Sequence, residues 1–445
     1  MGKLFGTDGI RGKANDLLSP ELVYKIARCA GYYFTEKESN PKILIGKDTR
    51  ISGDMIEAAL VLGFTSVGVD VVKLGVVTTP AVAYLTKNTD AAAGVMISAS
   101  HNPMEDNGIK FFSKEGFKLP DEVEEEIEEL YFSNTNLPYP TGAGVGRVWD
   151  DLTLKNRYLE YLKTTVKNSF QGIKLALDCA NGGAYYLAPE LFASLGAEVQ
   201  AINNHPDGTN INLNCGSTHP EKLAEFVKEN GLDLGFAFDG DADRLIAVDK
   251  YGEIIDGDYI LAICGKYLKE IGRLPQDVVV GTVMANLGFD LACQREGLKP
   301  IKTKVGDRYV LEEMLKGGYA LGGEQSGHII FLEYSTTGDG LLTAIQLLDT
   351  LISTKQTLDQ AKGILQKLPQ VLVNVKVQDK EKYSSNGEIA KAISEVEEIL
   401  GSEGRVLVRP SGTENLIRVM IEGKDLEEIK NYAQKIAGVI EKELA

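Results

Sequence analysis

The chain has 445 residues, with 43% hydrophobic and 25% charged side chains, which is typical of a folded globular protein of about three domains. Its net charge of −17 argues against nucleic acid and anionic membranes as partners, because both would be repelled. The sequence shows no apolar run of the roughly 20 residues that cross a bilayer, no signal core and no C-x-x-C pair among five cysteines, so we expect a cytoplasmic protein with reduced thiols.

Short β-branched runs alternate with helical patterns along most of the chain. Strands are predicted at residues 43–46, 69–72, 94–97, 174–178, 234–238 and 278–281. A helix is predicted over residues 52–67. Such alternation indicates α/β layers with mixed or parallel sheets. After residue 369 the pattern changes, and it predicts a small α+β domain with strands at 370–377, 405–409 and 417–422 and helices at 386–400 and 426–444.

Three stretches are candidate domain boundaries. They are the polar segment 137–147, the turn at 250–252 and the segment 367–369, each of which contains Gly or Pro. They divide the chain into four predicted domains. These domains cover residues 1–150, 151–250, 251–367 and 368–445.

The first segment that could carry chemistry is Ser98-Ala99-Ser100-His101-Asn102-Pro103, directly after the predicted strand 94–97. Ligands of open α/β sheets bind outside the carboxyl ends of strands. A serine there can be held rigidly, and His101 would supply positive charge or a proton. The alternative is a turn or a helix cap, in which Ser and Asn are common, and spacing alone favours that alternative.

The second segment, Asp239-Gly240-Asp241-Ala242-Asp243-Arg244, lies between two apolar runs. Three carboxylates this close repel one another, and a divalent cation would make the arrangement favourable. It is not an EF-hand loop, because Arg244 and Lys250 stand where that loop needs Gly and Glu. Mg²⁺ suits the segment, since it binds few protein carboxylates and keeps phosphate oxygens as ligands. The alternative is an acidic solvated turn, which the flanking apolar runs disfavour.

Four further loops combine glycines with polar side chains. Residues 322–328 carry Glu324 and Ser326, which suit vicinal sugar hydroxyls, although a polar hairpin would look the same. Residues 409–415, followed by Arg418, offer hydroxyls, backbone N–H groups and two guanidiniums for a phosphate, with a surface turn as the alternative. Residues 5–12 and 304–308 are Gly-containing loops with basic side chains and match no complete nucleotide-binding fingerprint.

Taken together and in this order, these segments resemble the α-D-phosphohexomutase superfamily over essentially the whole chain. The resemblance implies an α/β fold of three similar mixed-sheet domains plus a smaller C-terminal α+β domain around one central cleft. It makes residues 1–150 the phosphoserine domain, 151–250 the metal-binding domain, 251–367 the sugar-binding domain and 368–445 the phosphate-binding domain. Mg²⁺ and a phosphorylated Ser100 are the implied cofactors.

The resemblance also implies a role for each matching residue. Ser100 would carry the phosphoryl group and, with Asp239, Asp241 and Asp243, hold the metal. The catalytic surroundings of the phosphoryl group would be Arg11, His101, Lys110 and Arg244, with Lys110 as the leading general acid/base candidate. The residues expected to bind substrate are Glu324, Ser326, His328, Lys304, Arg308, Arg409, Ser411, Gly412, Thr413 and Arg418. The chain departs from the family at Asn415, where Pro is common, and at Ala242, where many members have Gly.

The implied reaction interconverts glucosamine 6-phosphate and glucosamine 1-phosphate through a glucosamine 1,6-bisphosphate intermediate. Residues 5–12, Gln325 and the loop 305–309 are similar to the glucosamine-phosphate branch of the superfamily. The nearest alternative is a phosphoglucomutase/phosphomannomutase with the same mechanism. A phosphatase that uses the same serine is a second alternative, and a silent sugar-phosphate-binding protein is a third, which the intact Ser100 and aspartates disfavour. The oligomeric state stays open, with a homodimer as one option.

Overall fold

A computed structural model of the chain describes residues 4–6, 8–133, 135–411 and 415–444. These residues form two compact units. The larger unit consists of the described residues within 1–284 and 298–363. The smaller unit consists of those within 285–297 and 364–445.

The first sheet of the larger unit joins strands from distant parts of the first 150 residues. Its strands are β1 (Ile10–Lys13), β2 (Lys42–Lys47), β3 (Asp70–Val76), β4 (Ala93–Ile97), β5 (Asp106–Ser113) and β6 (Val148–Asp150). Their order is β1-β5-β4-β2-β3-β6, and the pairs β4–β2, β2–β3 and β3–β6 are parallel. Because β4 is central, all five of its residues are buried and apolar or Gly, as expected of a strand covered on both faces.

Four helices accompany this sheet. They are α1 (Pro20–Lys37), α2 (Gly53–Thr65), α3 (Thr79–Lys87) and α4 (Asp121–Phe132). Ile26 of α1 and Phe64 of α2 pack with Ile45 and Val95 of the strands in one hydrophobic core. Because β2 and β4 are parallel neighbours, their carboxyl ends lie at the same edge of this sheet.

Two further mixed sheets complete the larger unit. One has the order β11-β10-β9-β7-β8, and the other has the order β13-β12-β14-β15. The strands are β7 (Lys174–Asp178), β8 (Glu198–Ile202), β9 (Leu234–Phe238), β10 (Leu245–Asp249), β11 (Ile254–Ile255), β12 (Val278–Thr282), β13 (Lys299–Thr303), β14 (Leu321–Gly323) and β15 (Ile329–Phe331). The helices along this stretch are α5 (Leu154–Thr164), α6 (Ala184–Ser194), α7 (Glu221–Glu229), α8 (Gly257–Glu270), α9 (Leu287–Glu296), α10 (Asp307–Gly317), α11 (Gly340–Thr354) and α12 (Leu358–Ala361).

The smaller unit contains α9 and an antiparallel sheet. Its strands are β16 (Gln370–Lys376), β17 (Arg405–Pro410) and β18 (Leu416–Glu422), in the order β16-β18-β17. Its other helices are α13 (Gly387–Leu400) and α14 (Leu426–Leu444). Ile417 and Val419 of β18 pack with Ile436 and Ile440 of α14. Glu422 joins α9 to this sheet, because its carboxylate accepts hydrogen bonds from Asn286 Nδ2 at 3.1 Å and from the Leu287 N–H at 2.9 Å.

The predicted fold class is confirmed. Three mixed sheets with helices precede a smaller antiparallel α+β part, as the alternation of patterns indicated. None of the helices in the described part of the chain has the length and apolar content that a membrane-spanning helix needs.

Glu124 of α4 offers a test of how burial affects stability. Its side chain is 9% exposed, and burial raises its pKa from 4.5 to about 7. Between these values the folded state keeps a proton that the unfolded chain releases, so stability falls as pH rises through this window. We expect Glu124→Gln to be more stable than the parent protein by about 1–2 kcal/mol near pH 8, and the gain to vanish near pH 4.5. Urea unfolding at both pH values checks this, with the exposed Glu125→Gln as the control. Equal pH dependence in the parent and Glu124→Gln proteins would contradict it.

Candidate active site

Ser100 lies in a strained turn directly after β4. Its φ is 53°, a left-handed conformation that costs a non-glycine residue about 1 kcal/mol. The Ser100 Oγ donates a hydrogen bond to Asp239 Oδ2 at 2.5 Å and lies 3.3 Å from His101 Nδ1. Ser98 Oγ accepts a hydrogen bond from the Ser100 N–H at 2.9 Å. Backbone strain that the surroundings enforce in this way is common at active sites.

Two side chains from other segments hold the carbonyl groups of this turn. Arg50 donates to the carbonyls of Ser100 and Asn102 at 3.2 and 2.6 Å, and Asn212 Nδ2 donates to the same two at 2.8 and 3.1 Å. Arg50 also pairs with buried Asp48. The sequence motifs did not predict a role for these residues. The position of Arg50 just after β2, whose carboxyl end adjoins that of β4, could have indicated it, whereas we find no sequence signal for Asn212.

The three predicted metal ligands follow β9 and come together. Asp239, Asp241 and Asp243 are all buried, and one oxygen from each lies within 4.8 Å of the others. Thr79, at the start of α3, supports the loop by donating its Oγ1 to Asp241 Oδ2 at 2.5 Å and its N–H to the Asp241 carbonyl at 2.9 Å. The same loop contacts the Ser100 turn through the hydrogen bond from Ser100 Oγ to Asp239.

Two carboxyl groups of the triad have pKa values that are shifted in opposite directions. Burial raises the pKa of Asp239 well above its usual range, and the neighbouring carboxylates of Asp243 and Asp241 raise it further. Burial also acts on Asp243, but Lys110 and His328 hold the pKa of that carboxyl well below its usual range. Lys110 Nζ lies 2.6 Å from Asp241 Oδ2 and 3.5 Å from Asp243 Oδ2. Although burial disfavours the ammonium, these two carboxylates keep the pKa of Lys110 above its ordinary value.

The donor set fits a divalent cation. Asp241 Oδ1 and Asp243 Oδ1 are buried and have no hydrogen-bond partner among the described residues. Unpaired carboxylate oxygens of this kind are costly in a protein interior unless a cation binds them. Three clustered carboxylates are also the ligand type that hard divalent ions prefer. The buried triad therefore has the ligands that a divalent cation would need.

The basic residues predicted around Ser100 also converge there. Because β1 pairs with β5 and β5 pairs with β4, Arg11 and Lys110 lie on strands next to the Ser100 turn. The Nε–H groups of Arg11 and Arg244 are buried and make no hydrogen bond to the described residues, although Arg244 Nε lies 3.8 Å from Asp243 Oδ1. Burial, Arg244 and Arg11 lower the pKa of His101 to about 4, so its imidazole is neutral at neutral pH. The guanidinium groups of Arg11 and Arg244 suit a phosphate group.

The predicted sugar-binding residues lie on the turn between β14 and β15. The Glu324 carboxylate accepts a hydrogen bond from the Gly306 N–H at 3.0 Å, and Ser326 is exposed. His328 is only 3% exposed. Its Nε2 accepts a hydrogen bond from the Gly338 N–H at 3.1 Å, and its Nδ1 lies 3.7 Å from Asp243 Oδ1. The His328 ring therefore lies beside Asp243, whereas Ser326 is exposed to solvent.

The predicted ligand Lys304 precedes α10, and Arg308 lies in the first turn of that helix. Arg308 forms ion pairs with Asp121 and, at 3.0 Å, with Glu312. Lys304 Nζ lies 5.8 Å from the centre of the Tyr309 ring. The guanidinium of Arg308 is thus engaged with carboxylates in this arrangement.

The smaller unit carries the last predicted loop. Arg409 and Arg418 face each other across β17 and β18, and Ser411 is buried at the end of β17. Burial and the charge of Arg418 lower the pKa of Arg409. An anion between the two guanidiniums would relieve their repulsion. The predicted ligands Gly412 and Thr413 lie outside the described residues.

Gly240 is required by the close approach of the two loops. A Cβ atom there would lie 2.5 Å from the Ser100 carbonyl oxygen and 2.8 Å from Asn212 Nδ2. We expect Gly240→Ala to displace the Ser100 turn and to slow any reaction that uses Ser100 by about 100-fold. Gly363→Ala is the control, because a Cβ there meets no atom within 4 Å. Steady-state kinetics of both variants check this, and a parent-like rate in a folded Gly240→Ala protein would contradict it.

Four family models match the chain in sequence order. They are phosphoglucomutase/phosphomannomutase alpha/beta/alpha domain I at residues 2–138, domain II at 156–252, domain III at 256–368 and the C-terminal domain at 372–439. Together they account for nearly the whole chain.

Curated relatives and a solved structure agree with these matches. The chain is 57% identical to the phosphoglucosamine mutase of Geobacillus kaustophilus (strain HTA426), over 100% of this chain and 99% of that protein. It is 56% identical to the phosphoglucosamine mutase of Bacillus subtilis (strain 168), with the same coverage. The fold is similar to that of a phosphoglucomutase/phosphomannomutase family protein from Burkholderia thailandensis, with a TM-score of 0.83 and 24% identity over 99% of this chain and 98% of that one.

Proposed function

The chain belongs to the phosphoglucomutase/phosphomannomutase family, and on that basis we propose that it is an isomerase that interconverts glucosamine 6-phosphate and glucosamine 1-phosphate. The observation that carries the proposal is the 2.5 Å hydrogen bond from Ser100 Oγ to Asp239, within a carboxylate triad backed by basic side chains. Two relatives at 56–57% identity over the full chain bear the name of a glucosamine-phosphate enzyme, which favours the amino sugar over glucose or mannose.

In the proposed first step, phosphorylated Ser100 gives its phosphoryl group to the free hydroxyl of the bound ester. A bond forms between that hydroxyl oxygen and phosphorus, the bond from phosphorus to Ser100 Oγ breaks, and the product is glucosamine 1,6-bisphosphate. Lys110, buried beside Asp241 of the triad, is the side chain proposed to take the proton of the attacking hydroxyl and to give a proton to the departing Ser100 Oγ. A second transfer, after the bisphosphate has turned around, moves its other phosphoryl group back to Ser100.

We propose Mg²⁺ as the ion of the triad, held by Asp239, Asp241, Asp243 and an oxygen of the phosphorylated Ser100. When bound, it would stabilise charge on the transferring phosphoryl group and, by neutralising the triad, lower the pKa of Lys110. Arg11, His101 and Arg244 would orient the phosphoryl group from the other side. Phosphoryl transfer needs mainly such positioning and charge stabilisation from a protein.

We also propose roles for the four sequence segments and a location. Residues 1–150 would supply the phosphoserine, 151–250 the metal ligands, 251–367 the sugar contacts Glu324 and Ser326, and 368–445 the contacts of Arg409, Ser411 and Arg418 to the phosphate that does not react. The five cysteines are buried free thiols, which supports a cytoplasmic location.

Relative rates on different phosphosugars test the proposed substrate. The purified protein should convert glucosamine phosphate with the highest kcat/KM and convert glucose and mannose phosphates more slowly, because Glu324 and Ser326 would bind hydroxyls common to these sugars. Competition between glucosamine 1-phosphate and glucose 1-phosphate at equal concentration measures the preference. Faster conversion of the glucose ester would instead support a phosphoglucomutase/phosphomannomutase activity.

A further inference from the structure

Polar contacts connect residues 116–121, which follow β5, to the start of α10 and to the loop after β15. The three contacts are a 2.5 Å hydrogen bond from Thr336 Oγ1 to the Gly116 carbonyl, an ion pair of Lys118 with Asp307, and an ion pair of Arg308 with Asp121. They join a segment of the predicted phosphoserine domain to a segment of the predicted sugar-binding domain. Lys118 differs from the other residues in these contacts, because both of its carboxylate partners have neighbours in the candidate site. Asp8 lies near Arg11, and Asp307 lies near His328.

Lys118 bridges two loops of the candidate site. Its Nζ lies 2.8 Å from Asp8 Oδ1 and 2.6 Å from Asp307 Oδ2. The other oxygen of Asp8 is 3.6 Å from Arg11, whose guanidinium belongs to the basic surroundings of Ser100. Asp307 Oδ2 is 3.6 Å from His328 Nε2, and the opposite ring nitrogen of His328 faces Asp243. One ammonium therefore stands between the loop of Arg11 and the imidazole that supports the metal loop.

We propose that Lys118 is a positioning residue for phosphoryl transfer, which fixes the loop of Arg11 relative to Asp307 and the neighbouring His328 ring. The inference rests on the proposed function. Without the ammonium, the carboxylates of Asp8 and Asp307 would repel each other at close range, and both loops would move from their places. Lys118 itself makes no contact with Ser100 or with the triad in the interactions found among the described residues, so its effect would pass through Arg11 and His328.

Substitutions that separate positioning from folding test this inference. Lys118→Met removes the ammonium with little change in volume, Lys118→Arg keeps a cation able to reach two carboxylates, and Asp307→Asn removes one partner. Lys114→Met is the matched control, since Lys114 is on the same turn with its side chain 59% exposed. We expect Lys118→Met to lower kcat by about 10–100-fold while KM changes less, because misplaced groups weaken the transition state more than ground-state binding.

The pattern across the variants decides the outcome. We expect the rate of Lys118→Arg to be close to the parent rate. We expect the double variant Lys118→Met/Asp307→Asn to be no slower than the slower single variant, because both substitutions remove the same Lys118–Asp307 interaction. Parent-like kcat in folded Lys118→Met, or simply additive losses, would overturn the proposal. If Lys118→Met does not fold, Asp307→Asn decides, and a parent-like kcat there overturns it. Failure of the parent protein to isomerise any phosphosugar would instead refute the proposed function.

Discussion

Replacing Ser100 by alanine is expected to lower kcat for glucosamine phosphates by at least about 10⁴-fold, because the group that accepts and donates the phosphoryl is lost. The turn should survive, since its carbonyl groups are held by Arg50 and Asn212 and not by the Ser100 hydroxyl. Intact-protein mass spectrometry should show one phosphate on the active parent protein and none on the variant.

Ser98→Ala is the informative control for this prediction. Its hydroxyl accepts the Ser100 N–H at 2.9 Å, so the variant loses a support of the turn but keeps the nucleophile. We expect it to retain the phosphate and to lose about tenfold in rate. A fully active Ser100→Ala protein, or a fully active parent protein that never carries phosphate, would contradict the phosphoserine mechanism.

The second large effect is expected at Asp241. Asp241→Asn should lower turnover by about 10³-fold, because an amide neither balances the charge of a divalent ion nor binds it as well. The substitution also removes the negative partner of Lys110, which lies 2.6 Å away, so the proton-transfer group would lose its orientation. Steady-state rates before and after chelation, and after addition of Mg²⁺, measure the effect.

Asp233→Asn is the matched control for Asp241→Asn. Asp233 is an exposed aspartate that precedes β9, whereas the triad follows that strand. We expect its rate to stay within about twofold of the parent rate, as is usual for an exposed side chain away from the site. If chelation leaves the parent rate unchanged, the metal assignment is wrong, whatever Asp241→Asn does.

The elements that sequence analysis predicted are those with strong local signals. The apolar runs at 43–46, 94–97 and 234–238 are confirmed as β2, β4 and β9, because continuous burial forces continuous apolar sequence. The strand β5 was missed, since it combines buried Asn107 and Lys110 with apolar residues. Only its pairing with β1 and β4 explains how Arg11 and Lys110 reach Ser100, and strand order is a tertiary property.

The residues of the candidate site also divide into those with a local sequence signal and those placed only by tertiary contacts. Ser100 and the aspartates could be predicted as site residues because they follow apolar strands and match family motifs. The family resemblance itself is confirmed. Asn212, Thr79 and Lys118 act through contacts with residues more than a hundred positions away, which no local pattern encodes. The departure at position 242 has a physical meaning, since Ala242 has a φ of 55°, where Gly would avoid strain.

Phosphorus NMR of the purified protein with glucosamine 6-phosphate, Mg²⁺ and a catalytic amount of glucosamine 1,6-bisphosphate tests the central claim most directly. Because both phosphoryl transfers pass between Ser100 and the sugar, we predict that the glucosamine 1-phosphate signal grows to an equilibrium level while total ester phosphate stays constant. Release of inorganic phosphate without glucosamine 1-phosphate would contradict the claim and identify a phosphatase that uses the same serine.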